Sequence, residues 1–381
     1  MAPRALVVAA AALLLAVIPL QRDYGPDLEW YWSISWDHGF VRRGLCGELA
    51  GLLPVADLET AARLMTGLSA AVAATTVAVV AVLRIWHGDP VSVALGASLI
   101  VGPVGYAMVV SDPRPEYLGF PAVLCVMAAC HAWSAGRRGP ARCWLGLAGA
   151  LMGAVTLASE NVLFAVLPWC VVLLTATTVA APLGVRVRLL VGMLAMPTAA
   201  AAAVVVGGRA DARQLAALRE DAGGLDGSPD RLMRYLGQDL GDSVRTVVHA
   251  GIGFRLFTML VAVGIVAVLA GLLLACGAGR EWLRLPADRL LRFSLCLPVA
   301  ALLFQTATGL DWPRWVGQLG SGALLTLTSW GVLVPDPDPA PWSVGRIGRI
   351  ALFSCLLVLV PAVPFSILHG GVTAFVTSRV S

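Results

Sequence analysis

The chain has 381 residues, 58% hydrophobic and 13% charged, with a mean hydropathy of +0.82 and a formal net charge of +4. A soluble domain carries roughly 25% charged residues, so there is too little polar surface here to coat a water-soluble globule. The small, dispersed charge gives no footprint for nucleic acid, and all 27 basic residues are arginine, which removes lysine from any catalytic scheme.

A bilayer core of about 30 Å needs roughly 17 to 25 mostly apolar residues per helix. Runs that meet or approach this are 5–20, 64–83, 91–110, 117–134, 143–158, 161–181, 187–206, 254–276, 290–308, 315–334 and 350–368. The expected fold is therefore an all-α, polytopic transmembrane bundle of about eleven spans, forming a single integral membrane domain over 1–381. The first run ends Ile18-Pro19-Leu20-Gln21 without a small-x-small cleavage pattern, so it reads as a retained span.

Arginine is concentrated in alternate connections: Arg84, Arg137 with Arg138 and Arg142, Arg186 with Arg188, and Arg280 to Arg292. By the positive-inside tendency these face the cytoplasm of a plasma-membrane protein. The N-terminus is then expected inside and the C-terminus outside. The opposite side holds two long loops, 21–63 and 207–253, and eighteen of the twenty-three acidic residues. Carboxylates do little to orient a membrane protein, so that bias calls for another cause.

In the first long loop, Pro26 precedes Asp27-Leu-Glu29-Trp30-Tyr31-Trp32, and an acidic first turn suits a helix start. A short interfacial helix is expected over about 27–37, with Trp30, Tyr31, Trp32 and Trp36 as an aromatic belt at headgroup depth and sugar stacking as the alternative. It would hold Asp27, Glu29 and Asp37 close to the membrane surface. GFVRRGLCGE follows at 39–48. Its adjacent Arg42 and Arg43 run against the positive-inside tendency. A guanidinium fork matches a phosphate or carboxylate, and flanking glycines let backbone N–H groups approach an anion. Pairing of these arginines with Asp37 and Glu48 is the competing reading.

Two short loops repeat the chemistry. Asp112-Pro-Arg114-Pro-Glu116 displays two carboxylates beside one arginine, and Asp311-Trp-Pro-Arg314-Trp one of each. Glu160 stands between two apolar runs with almost no loop around it, and an ionisable group at that depth is a functional candidate. In the second long loop Leu232, Leu236, Leu240, Val244 and Val248 recur every four residues from Pro229 on. They predict an amphipathic interfacial helix, either a lid or a plain surface helix. The eight cysteines contain no CxxC and the five histidines no metal spacing, so no disulfide framework or metal site follows.

Asp27-Leu-Glu29-x-Tyr31 just after the first span, Asp112-Pro-Arg-Pro-Glu116, and Thr156-Leu-Ala-Ser-Glu160-Asn161 before Pro168 together resemble the C-type membrane glycosyltransferases. Those enzymes take a sugar from a polyprenyl-phosphate donor on the outer face. Glu160 stands where that family often carries lysine, so a lysine contact to donor phosphate does not carry over. The resemblance implies a polyprenyl-phosphate-linked sugar and a glycan or lipid acceptor as partners; the sequence indicates no cofactor and leaves a divalent metal ion open. It casts Asp27 as general base, with Asp37 or Glu29 as substitutes. Arg42, Arg43, Arg114 and Arg314 would neutralise the departing phosphate, and Asp112, Glu116, Glu160 and Asp311 would hold acceptor hydroxyls or orient the arginines. Polymerases or ligases of lipid-linked oligosaccharides are similar, and a transporter or flippase is the alternative from another class.

Overall fold

The structure is a computed structural model that describes residues 17, 20, 30–55, 57–102, 105–111, 113–221, 233, 236–249, 252–277, 288–308, 312–334 and 345. Among the described residues every regular element is helical. A 3-10 turn Trp30–Ser33 comes first, then α1 Leu45–Gly51, α2 Leu58–Ile85, α3 Pro90–Val101 and α4 Tyr106–Ser111. A second 3-10 turn, Pro115–Gly119, leads into α5 Pro121–Ser134, α6 Arg138–Ala158, α7 Val162–Ala165, α8 Leu167–Thr177 and α9 Leu183–Gly207. The remainder is α10 Ala212–Asp221, α11 Leu240–His249, α12 Ile252–Ala275, α13 Arg289–Thr308 and α14 Trp312–Leu333.

Local signals set these boundaries. Asp57 caps α2 by accepting the Thr60 N–H at 2.7 Å, and Asp89 caps α3 in the same way through Ser92 at 2.9 Å. With 28 residues, α2 spans about 42 Å at 1.5 Å per residue, more than a hydrocarbon core of about 30 Å. α3 stops at Gly102, extended at φ −75° and ψ 154°, because the residue before a proline, here Pro103, is pushed out of the helical region.

Six helical stretches are long and apolar enough to cross a membrane: 58–85, 115–134, 138–158, 183–207, 256–275 and 289–308. The expectation of eleven is thus met in part. Run 5–20, but for residues 17 and 20, and run 350–368 lie outside the described residues. The 91–110 run is broken at Gly102, and the 161–181 run is divided at Val166, which stands between α7 and α8 two residues before Pro168 and leaves only a shorter apolar helix over 162–177. α14 replaces the 315–334 run but is rich in glycine, serine and threonine and buried along almost its whole length. It need not be apolar enough for lipid because protein surrounds it: α14 packs against α2, α3, α8, α12 and α13.

Small residues permit close packing, as in membrane helix pairs generally. α6 crosses α9 at Gly149 and Gly153, where a Cβ on Gly149 would stand 2.5 Å from the Met193 carbonyl oxygen. α9, α12 and α13 form the perimeter and leave most of their apolar surface uncovered by protein.

At the end of the bundle rich in arginine loops, Arg186 donates to both Asp288 oxygens at 2.9 and 2.7 Å and to the Thr175 carbonyl at 3.3 Å. Asp288 also caps α13 through the Leu291 N–H at 2.9 Å. Hydrogen bonds from Arg186, then from Leu291, hold the Asp288 carboxyl well below the usual carboxylate range. This clip joins α8, α9 and α13.

Three local expectations differ from the structure. The helix expected over 27–37 is only the 3-10 turn at 30–33 within the described residues, and the Ser33 hydroxyl bonds back to the Trp30 carbonyl at 2.9 Å. Trp30 and Trp32 are 4% and 1% exposed, packed against Ile34 and Leu236 and against Cys46 and Met65 respectively. They are core residues and not a belt. Of the helix expected from Pro229, residues 229–232, 234 and 235 lie outside the described residues; Met233, Leu236 and Gly237 are helical, and the helix breaks at Gln238 and Asp239 before α11 starts at Leu240, where Asp239 accepts the Asp242 N–H at 2.7 Å. Its Val247 is buried against Trp312 and Trp315, while Val244 and Val248 stay exposed.

Two outcomes are expected. Gly149→Leu lowers unfolding stability in detergent by about 1–3 kcal/mol through overpacking, whereas Gly146→Leu, which meets nothing within 4 Å, is neutral. Asp288→Asn lowers the unfolding temperature at neutral pH. Because the folded carboxyl is depressed, its contribution is complete above the unfolded value of about 3.9 and disappears as pH falls through the lower folded value. The gap between wild type and Asp288→Asn should therefore close in acid melts.

Candidate functional site

Five segments meet at the acid-rich end of the bundle: the 30–33 turn, the bend before α1, residues 113–119, the turn between α6 and α7, and the first turns of α14. Their side chains form one cluster around Tyr31. Arg43 reaches Glu160 with its Nε and Nη2 groups, which donate at 3.3 and 3.2 Å to the two carboxylate oxygens. The Arg43 guanidinium lies 5.0 Å from the Tyr31 ring centroid and that of Arg114 lies 5.1 Å from it, within cation–π range. Arg114 Nη1 also donates to the Tyr31 hydroxyl oxygen at 2.7 Å. Burial pushes the Tyr31 phenol up, but the positive charges of Arg114, Arg43 and Arg314 outweigh it and leave the phenol below its ordinary value.

Behind this layer sits Glu116, only 1% exposed. Its carboxylate accepts the Ser159 hydroxyl at 3.0 Å and the Gln318 amide at 3.3 Å. Pro113 and Pro115 bracket Arg114 and restrict the backbone there, so that Arg114 and Glu116 both address the cluster. Cys46 donates to the Ala158 carbonyl at 3.1 Å; burial drives its thiol well up, so no thiolate nucleophile is available there.

The bend that delivers Arg43 is unusual. Arg43 adopts φ 68°, a left-handed conformation that L-residues other than glycine seldom hold. Gly44 follows it under the Trp36 indole, where a Cβ would come within 2.0 Å of ring atoms. The glycine N–H groups expected to approach an anion serve internal bonds instead: Gly47 donates to the Ile34 carbonyl at 2.7 Å and Gly44 to the Val41 carbonyl at 3.2 Å.

Of the residues singled out in sequence, Arg43, Arg114, Glu116, Glu160 and Arg314 converge. Arg42 turns the other way: its side chain donates to the Leu236 and Gln238 carbonyls and its backbone N–H to Gly208 at 2.8 Å, tying down the second long loop. Asp37 is exposed and accepts the Ser35 hydroxyl at 2.9 Å. Asp27, Glu29, Asp112 and Asp311 lie outside the described residues. Tyr31, Ser159 and Gln318 were not anticipated. An amide among the glycines and leucines of 315–334 is a usable signal for Gln318, whereas the aromatic composition around Tyr31 hid it. Among the described residues no three His, Cys, Asp or Glu side chains gather as a metal site.

The fold and cluster define an integral membrane protein with an arginine-rich polar site at one end of a helical bundle. Residues 2–219 match the family described as uncharacterised membrane protein Rv1490, to which the chain belongs. No curated protein and no solved structure matches the chain.

The left-handed bend yields a discriminating test. Arg43→Ala loses the Glu160 pair and keeps the strain, while Arg43→Gly loses the pair and relieves the strain. The glycine variant is expected to be more stable by about 1 kcal/mol in thermal unfolding.

Proposed function

We propose that the protein is a membrane glycosyltransferase that takes a sugar from a polyprenyl-phosphate donor at the extracytoplasmic face of the plasma membrane and passes it to a cell-envelope glycan or lipid. The observation that carries this reading is the gathering of three arginines, Arg43, Arg114 and Arg314, around Tyr31 at one end of a membrane bundle. Such a group suits an anion carried on a lipid: guanidinium forks match phosphate oxygens, and the donor's apolar chain would lie in the surrounding bilayer.

In the proposed reaction the acceptor hydroxyl oxygen bonds to the anomeric carbon while the bond from that carbon to the phosphate oxygen breaks. The hydroxyl proton passes to a carboxylate acting as general base, and the bond's electron pair leaves on the polyprenyl phosphate, whose charge the arginines stabilise. Asp27 is the assigned base, four residues before Tyr31 in the chain, with Glu29 as substitute; Asp37, exposed and accepting the Ser35 hydroxyl, is the least favoured candidate for that role. Glu116 and Glu160 orient the arginines, while Asp112 and Asp311, which precede Arg114 and Arg314 in their loops, are assigned to acceptor hydroxyls.

Full-length protein in proteoliposomes, supplied with radiolabelled polyprenyl-phosphate sugar and envelope lipid or glycan extract, tests this. Arg114→Gln should reduce label transfer about 100-fold, the usual cost of removing one charge-stabilising donor. Asp27→Asn should reduce it by about 100-fold or more. Full transfer in both variants would overturn the site, and products extended by whole repeat units would identify a polymerase.

A further inference from the structure

Among the described residues Arg186–Asp288 and Arg43–Glu160 are both bidentate pairs, and they differ. Arg186 and Asp288 lie at 2.9 and 2.7 Å, with Asp288 held further by the Leu291 N–H. These are the lengths of charge-assisted bonds. Arg43 and Glu160 lie at 3.3 and 3.2 Å, outside that range. In both pairs the carboxylate is the more exposed partner, 17% for Glu160 against 7% for Arg43 and 24% for Asp288 against 4% for Arg186, so the bond lengths are what set the two apart. Glu160 stands on a short turn between α6 and α7, with Ser159 extended.

The Nε–Nη2 edge of Arg43, which Glu160 occupies, is also an edge that accepts two phosphate oxygens. A carboxylate and a phosphate cannot both take it. Arg114 lies about as far from the Tyr31 ring as Arg43 does, so the positive charge around that ring is not Arg43's alone.

We propose that Glu160 is a resident stand-in for a ligand's phosphate, and that the phosphate of a lipid phosphomonoester binds by displacing Glu160 from Arg43. The transferase reading supplies only the choice of polyprenyl phosphate as the lipid; the exchange itself rests on the two pairs. A site occupied by its own carboxylate binds ligand more weakly by the fraction of time it is free. Neutralising the stand-in should therefore strengthen binding, the opposite of what loss of a structural ion pair does.

The test is equilibrium binding of radiolabelled polyprenyl phosphate to full-length protein in phosphatidylcholine nanodiscs, with unlabelled polyprenyl phosphate, phosphatidylglycerol and inorganic phosphate as competitors. Glu160→Gln is expected to bind about tenfold tighter, Arg43→Gln at least tenfold weaker, and the double variant like Arg43→Gln. Glu160→Asp, whose shorter carboxylate cannot span the pair, should also bind tighter and serves if the glutamine variant does not fold. Phosphatidylglycerol competing as well as polyprenyl phosphate supports the exchange with a bulk headgroup as source, and competition by inorganic phosphate supports it with free phosphate as source. Unchanged or weaker binding by both Glu160 variants, or no binding by any form, overturns it. Tighter binding by Glu160→Gln in a protein that transfers no sugar would leave the exchange standing and remove the transferase reading; sugar transfer with unaltered affinity would do the reverse.

Discussion

Taking a guanidinium out of water is costly unless charge and hydrogen bonds replace its hydration, and this constraint organises both ends of the bundle. At the acid-rich end Arg43 and Arg314 are 6% and 7% exposed. Bringing them there requires partners from several segments at once: Glu160 from the α6–α7 turn, the Tyr31 ring from the 30–33 turn, and the 113–119 stretch. The cluster is thus what fastens the first long loop to the helical core. Trp32, whose neighbours include Cys46, Ala62 and Ala158, closes the same joint with apolar contacts.

The other end meets the constraint differently. Arg186 has a tight carboxylate and a carbonyl, and Arg84, 1% exposed, fills a seat where α14 carries Gly331; a Cβ there would come within 2.0 Å of the guanidinium. These arginines are enclosed by the core and its clip. The acid-rich end combines a longer pair, a lowered phenol and a left-handed arginine. Stress of that kind persists where surrounding packing over-determines it, and it concentrates at functional sites.

The helical class, the membrane setting and the gathering of acids with arginines are legible in the sequence because each rests on a pattern that physics repeats: long apolar runs and charge segregated by loop. Glu160 is legible for the same reason, since a carboxylate between two apolar runs has no room to escape. Arg42 and Arg43 are not separable by reading. They are neighbours of one type, and the φ of 68° at Arg43 sends them to different partners, one to Glu160 and one to the 236–238 carbonyls. Tyr31 and the flanking tryptophans look alike in composition, but Trp30 and Trp32 find apolar cores on either side while the half-buried Tyr31 is left among charges. The helix expected over 229–248 is interrupted at Gln238 and Asp239, because a four-residue apolar spacing does not register a capping aspartate, and Asp239 caps the restart at Leu240.

α14 also explains how the cluster can be held without long loops. Its first turns supply Arg314 and Gln318, and its last turn supplies the glycine that seats Arg84. Between these points Gly322 lies where a Cβ would reach the Trp169 indole at 2.0 Å, so the helix is keyed into α8 midway. Enclosed by neighbours on every side, α14 can carry serine, threonine, glycine and an amide that a lipid-facing helix would not favour. The same features that lower its hydropathy let it fit closely. Gln318 is therefore presented to Glu116 by a packed rod, and Ser159 meets the same carboxylate from the end of α6, itself keyed to α9 through Gly149 and Gly153. The inner layer of the cluster is positioned by helix packing, as a site requiring sub-ångström placement should be, whereas Arg43 and Glu160 of the outer layer are carried on a bend and a turn.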